Sequence, residues 1–197
     1  MTVVKHDGQF FMFAEGANDQ AHWLTSLDGV SWDPRGPINI RTISGEPIPD
    51  GPHGTPSVWV EDGVWWLFYE RKDAGIWLAK STDLHTWTHV DDEPVIRVGQ
   101  ELYNYSLIAL NQVLKHDGLY YALLQGREQS ETEKRWSSFM LMSDDLKHWF
   151  KYWGNPITSK AENKSSPIMV HDGTQYRLYT MHGEVKVHYL HTGETAD

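Results

Sequence analysis

Two glutamates could do acid-base chemistry as a pair. Glu15 and Glu70 lie 55 residues apart, and each falls seven residues after the glycine of an Asp-Gly pair. Two carboxyl groups facing one another divide into a proton donor and an ionised partner when burial and neighbouring charges push their pKa values apart. Arg71 follows Glu70 directly and could hold one of the two ionised. His53 in the segment DGPHGTPS could bind a hydroxyl group, shuttle a proton or ligate a central ion. Asn111, Arg127, Lys164 and His182 recur at related offsets further along the chain. Of these, Arg127 and Lys164 could clamp a carboxylate.

A repeat must position these groups. Asp-Gly pairs stand at Asp7-Gly8, Asp62-Gly63, Asp117-Gly118 and Asp172-Gly173, three equal intervals of 55 residues. Their contexts repeat too: VVKHDGQFFMF, VWVEDGVWWLF, QVLKHDGLYYALL and IMVHDGTQYRLY. An apolar run, a turn with two positive φ angles and an aromatic run make a β-hairpin, and Asp-Gly favours a type I′ turn. Ser-x-Asp-x-x-x-Trp follows at Ser26 to Trp32, Ser81 to Trp87 and Ser143 to Trp149. The third copy lies seven residues late, and the polar stretch from Arg127 to Arg135 is the natural place for the insertion. The second unit predicts strands at Ser57 to Glu61, Val64 to Arg71, Gly75 to Ser81 and Thr86 to Val90.

Four short strands in a unit of about 50 residues are the pattern of a β-propeller blade. The chain therefore reads as all-β, one propeller domain over residues 1–197, with blades near 1–45, 52–98, 103–156 and 163–197. The last blade has three strands before the polar tail HTGETAD. Ten Trp, nine Tyr and six Phe supply the flat surfaces that blade-on-blade packing requires. Trp23, Trp65 or Trp66 could also stack on sugar rings, although Trp65 and Trp66, adjacent on a strand, must face opposite sides.

The stretch GTPSVWVEDGVWWLFYERKDAGIWLAKSTDLHTW resembles one blade of the five-bladed propeller glycosidases, the group of arabinanases, xylosidases, invertases and levansucrases. The likeness runs blade after blade over essentially the whole chain. It implies a glycosidase-type propeller with one blade more than the four visible here, and a pocket lined by the starts of the innermost strands and the ends of the second strands. It also implies a carbohydrate partner and hydrolysis by two carboxylates. Glu15 and Glu70 are the natural pair, in the same register of adjacent blades, with His53, Arg71, Asn111, Arg127, Lys164 and His182 lining the pocket.

Other classes are poorly supported. The charge of −10, from 17 Lys+Arg against 27 Asp+Glu, without a basic run, argues against nucleic acid. No apolar run is long enough for a membrane helix. With no cysteine there is neither thiolate metal site nor disulfide. No zinc, phosphate-loop, dinucleotide or serine-hydrolase motif occurs, and the expected cofactor is none; a divalent cation in the channel is not indicated. His6, His116 and His171 precede the Asp-Gly turns and read as structural, while His188 and His191 form no helical metal pair. Because no acid stands at the visible start of an innermost strand, a non-catalytic carbohydrate-binding propeller is the rival reading. A third is an inactive glycosidase fragment that self-associates through open blade edges.

Overall fold

The computed structural model describes residues 1–48, 53–104, 106–128 and 135–189. They form four sheets in a propeller arrangement, antiparallel except for one short parallel pair in the second. The first blade runs from inner to outer strand as β1 (Thr2–His6), β2 (Gln9–Glu15), β3 (Ala21–Ser26) and β4 (Asp33–Pro37). After the short β5 (Ile40–Arg41), the second blade comprises β6 (Gly54–Glu61), β7 (Val64–Glu70), β8 (Gly75–Ser81) and β9 (Trp87–His89). β5 lies parallel to β9 on the outer edge of that blade, and β10 (Ile96–Arg97) pairs with β8. The third blade is β11 (Leu107–His116), β12 (Leu119–Arg127), β13 (Trp136–Ser143) and β14 (Phe150–Lys151). The fourth contains β15 (Ser165–His171), β16 (Tyr176–Met181) and β17 (Lys186–Tyr189).

The expected strands of the second unit are all present. The innermost begins earlier than the apolar pattern suggests, at Gly54, because pairing with Glu70 resumes beyond a bulge at Thr55–Pro56. Most of the insertion between Arg127 and Arg135, at 129–134, lies outside the described residues, as does the chain from 190 onward, including His191.

Hairpin chemistry explains the repeat. Asp7, Asp62 and Asp117 have φ of 47°, 52° and 48°, and the glycines after them are positive as well, so each pair closes a two-residue turn. The fourth hairpin differs from that expectation. His171 pairs with Tyr176 across a four-residue turn, in which the Asp172 carboxylate accepts from the backbone N–H of Thr174 and Gln175 at 2.9 and 3.0 Å. In the Ser-x-Asp motifs the serine hydroxyl and aspartate carboxylate together cap four backbone amides, as at Ser81 and Asp83. The Trp87 and Trp149 indoles then donate to the carbonyls of Leu84 and Leu146.

Between the blades, β7 alternates its side chains into two cores. Trp65, Leu67 and Tyr69 join Phe13, Trp23, Val58 and Trp87 against the first blade. Phe68, with Trp66 packed at the margin, joins Ile76, Leu78, Ile108, Leu110, Leu124 and Phe139 against the third. At roughly 1.5–3 kcal/mol for each large apolar side chain removed from water, these two interfaces account for the aromatic richness of the sequence. Trp23 and Trp65 are 8% and 5% exposed, so they are core residues and not sugar platforms. On the axis, β1, β6 and β11 border a cavity of about 390 Å³ lined by Thr2 to Lys5, Val58 to Val60, Gln112 and Val113.

Candidate functional site

The second strand of each blade ends at one face of the propeller, and the repeat puts Glu15, Glu70 and Gln125 at the same register there, on β2, β7 and β12. Two of the three do the same job. The Thr55 backbone N–H donates to Glu15 Oε2 at 2.7 Å, and the Ser166 N–H donates to Gln125 Oε1 at 2.6 Å. Thr55 and Ser166 each precede a proline in a bulge of the next blade's innermost strand, with φ of 46° and 51°. Positive φ is costly for a β-branched threonine, and a side-chain acceptor from the preceding blade holds the strained backbone in place.

Glu70 departs from this pattern. Its Oε1 accepts the N–H of Asp73 in the turn after its own strand. Its Oε2 lies against Gly54, where an added Cβ would come within 2.7 Å, so a larger residue would force the carboxyl group out of this position. Burial is the main cause that pushes the Glu70 pKa up to about 7; the Asp73 N–H opposes it, and the negative charges of Asp73, Glu15 and Asp19 add to it. Glu15 and Glu70 thus flank the Gly54–Thr55 peptide. With standard bond lengths across that peptide, their nearest oxygens are at most about 9 Å apart.

His53 stands beside them, 7% exposed, with its backbone N–H on the Asp19 carbonyl at 2.7 Å and its ring edge-on to Tyr69 at 5.3 Å. Its Nδ1 has no hydrogen-bond partner among the described residues. Burial, helped by the charges of Arg71 and His89, pulls its pKa down to about 4, so the ring is neutral at pH 7. It borders a cleft of about 380 Å³ shared with Gln20, Asn39 and Pro47. Arg71 donates to the Tyr69 phenol, whose oxygen is 2.5 Å from His89 Nε2, and His89 Nδ1 is 2.9 Å from Asp92 Oδ1. Burial raises the Tyr69 pKa, so the phenol keeps its proton, and this chain of groups holds the Arg71 side chain beside Tyr69 and near His53.

The other predicted residues form a second group. Arg127 ends β12 with its guanidinium 5.7 Å from the centre of the Trp136 ring. Lys164 is 7% exposed, and its Nζ reaches the carbonyls of His182 and Glu184 at 3.4 and 3.5 Å. His182 contributes that carbonyl, and its side chain is exposed. Asn111 is the bulged residue of β11, and its Oδ1 is buried without a partner among the described residues. No cluster of three or more His, Asp or Glu suited to a metal occurs among the described residues. No helix there is long and apolar enough to cross a membrane.

Sequence reasoning missed the Tyr69–His89–Asp92 chain and the two backbone clamps. A signal for the clamps was present: Thr55-Pro56 and Ser166-Pro167 occupy matching places in their blades, each opposite a Glu or Gln of the blade before.

No protein family matches the sequence, and no curated protein matches it. Solved structures do. A glycosyl hydrolase from Bacteroides ovatus is similar with a TM-score of 0.75 at 14% identity, over 94% of this chain and 62% of its own. A family 117 glycoside hydrolase from the marine bacterium Zobellia galactanivorans gives 0.64 at 16% identity, over 95% and 66%. An exo-1,5-alpha-L-arabinanase from a bovine ruminal metagenomic library gives 0.60 at 14% identity, over 90% and 66%. The chain spans less than two thirds of the length of each of these structures, and what it shares with them is the β-propeller fold.

Proposed function

We propose that this propeller binds a saccharide at the seam of its first two blades and hydrolyses a glycosidic bond there. The observation that carries the reading is Glu70: alone of the three side chains Glu15, Glu70 and Gln125 it clamps no neighbouring blade among the described residues, and its pKa of about 7 leaves it about half protonated at pH 7 and largely protonated below that. A protonated carboxyl group can give its proton to the leaving oxygen, and Glu15 supplies the second carboxylate. A separation of at most about 9 Å accommodates either known geometry, about 5–5.5 Å with a carboxylate nucleophile or roughly 6.5–9.5 Å with an intervening water. Neutral His53 is suited to a hydrogen bond with a hydroxyl group, and Arg71, whose charge lies near His53, is suited to hold a substrate oxygen beside it. The fold shared with glycoside hydrolases supports the saccharide as substrate class.

A second reading, saccharide binding without turnover, is favoured by the starts of the innermost strands, where His53-Gly54 and Lys164-Ser165 offer no acid. One experiment separates the two. Reducing-sugar release is measured from a panel of polysaccharides and aryl glycosides with the chain and with Glu70→Gln, alongside thermal melting. The hydrolase reading expects turnover that falls at least about 100-fold in the variant while melting is preserved. Binding of a glycan with no turnover by either protein decides for the binding reading.

A further inference from the structure

The seam between the third and fourth blades is electrostatically unlike the seam that holds Glu70. On β12 and β13, Gln125 pairs with Ser138, and both turn toward the fourth blade: Gln125 accepts from Ser166, and Ser138 Oγ donates to the Lys164 carbonyl at 3.1 Å. Two residues further along the same face, Arg127 pairs with Trp136, so this row also faces the fourth blade. The Trp136 backbone N–H donates to the side chain of Asn163, the residue before Lys164, at 3.0 Å. Arg127 and Lys164 therefore both belong to this seam, Arg127 on the Trp136 ring and the Lys164 backbone against Ser138 of the same strand.

The Lys164 side chain is 8% exposed, and among the described residues its ammonium group has three long contacts: the two carbonyls and Glu184 Oε1, at 3.4, 3.5 and 3.5 Å. Normal N–H···O bonds are about 2.9 Å, and a buried charge requires close partners. Glu184 is itself 78% exposed, and two further acids of this region among the described residues are engaged: Glu128 with Lys160 at 2.6 Å, and Glu162 with Lys186 at 3.7 Å. Arg127 makes no ion pair among the described residues, and its guanidinium rests on an indole, a contact that leaves the N–H donors in the guanidinium plane for another partner.

We propose that Arg127 and Lys164 form an anion subsite, and that the saccharide taken by this propeller carries a carboxylate or sulfate group. This rests on the saccharide reading and specifies its substrate class. The acidic seam would hold the glycosidic oxygen and the basic seam the anionic substituent, which fixes the direction in which the chain lies across the face.

The test is calorimetric binding of uronate oligosaccharides from pectin and alginate, each against its carboxyl-reduced form, with sulfated galactan oligosaccharides and their desulfated forms as a second arm. The expected result is at least tenfold tighter binding of one anionic form than of its neutral counterpart, weakening as salt rises. Arg127→Gln should reduce that preference at least fivefold, with the larger loss on the anionic form. Lys164→Met should do the same, and if it fails to fold, Arg127→Gln alone carries the comparison. The arm that binds tells carboxylate from sulfate. Equal binding of anionic and neutral forms, or a preference that survives in Arg127→Gln, overturns the subsite while leaving the saccharide reading standing. Absence of binding to every form overturns both.

Discussion

The seam between the first and second blades and the seam between the third and fourth share one backbone device and differ in charge. In both, the second strand of one blade sends a side-chain oxygen to the N–H of a positive-φ residue before proline in the next, Glu15 to Thr55 and Gln125 to Ser166. A neutral amide performs this clamp as well as a carboxylate does, so the clamp does not require the charge of Glu15. That charge instead acts on Glu70. At the other seam the equivalent position is uncharged, and the cations Arg127 and Lys164 lie beyond it. The repeat supplies the scaffold twice, and the residues that depart from it give each seam its chemistry.

The largest effect that would break this comparison concerns Gly54. Gly54→Ala places a methyl group 2.7 Å from Glu70 Oε2, and the carboxyl group must swing aside. Displacing a reacting group by about 1 Å can cost about 100-fold in rate. We expect turnover to fall by that order with a melting temperature close to wild type, as measured by steady-state kinetics and calorimetry. Unchanged kcat would mean that the seat of Glu70 is not the catalytic position.

The clamps come next in size. Gln125→Ala and Glu15→Ala each leave a backbone N–H without its partner and should each cost about 1 kcal/mol. For a domain of this length that is about 2–4 °C in Tm. Glu15→Gln and Gln125→Glu retain an acceptor oxygen and should stay within about 0.5 kcal/mol of wild type. If Glu15→Gln melts like Glu15→Ala, the two clamps are not equivalent and the carboxylate is needed for structure.

The fold was legible because its signals are local. Asp-Gly turns need two positive φ angles, and Ser-x-Asp caps its own amides, so both leave fixed spacings in the sequence. The fourth hairpin escaped that reading because Asp172 caps a longer turn with the same Asp-Gly letters. The site was legible in part. Register alone picked out Glu15 and Glu70, but it could not separate a clamp from a displaced carboxyl group, because the difference lies in Gly54 and Asp73 on other segments. The Tyr69–His89–Asp92 chain was hidden for the same reason: its members touch only after β7 and β9 have been placed in one blade.

The smallest effect gives the sharpest comparison, because it asks what the charge of Glu15 adds once the clamp is kept. Glu70 ionises near pH 7 in the folded chain against about 4.5 for an unperturbed glutamate, and the negative charge of Glu15 contributes to the rise. A general acid works while protonated, so the rate should fall as pH rises through about 7. In Glu15→Gln the second carboxylate and its charge are both gone, so turnover falls, ionised Glu70 is less disfavoured, and Glu70 itself should titrate at lower pH. The sign for stability is related. Between about pH 4.5 and 7 the folded chain holds a proton on Glu70 that the unfolded chain has released, so this group makes stability decline as pH rises through that window. Removing the Glu15 charge narrows the window from its upper end and should flatten the decline. The wild-type kcat/KM profile, with carboxyl NMR titrations and melting curves of wild type and Glu15→Gln from pH 4 to 8, measures both. A Glu70 titration that does not move, in a variant that still folds, would show that Glu15 acts on Thr55 alone and that the charge at the first seam does no more to its neighbours than the amide at the last.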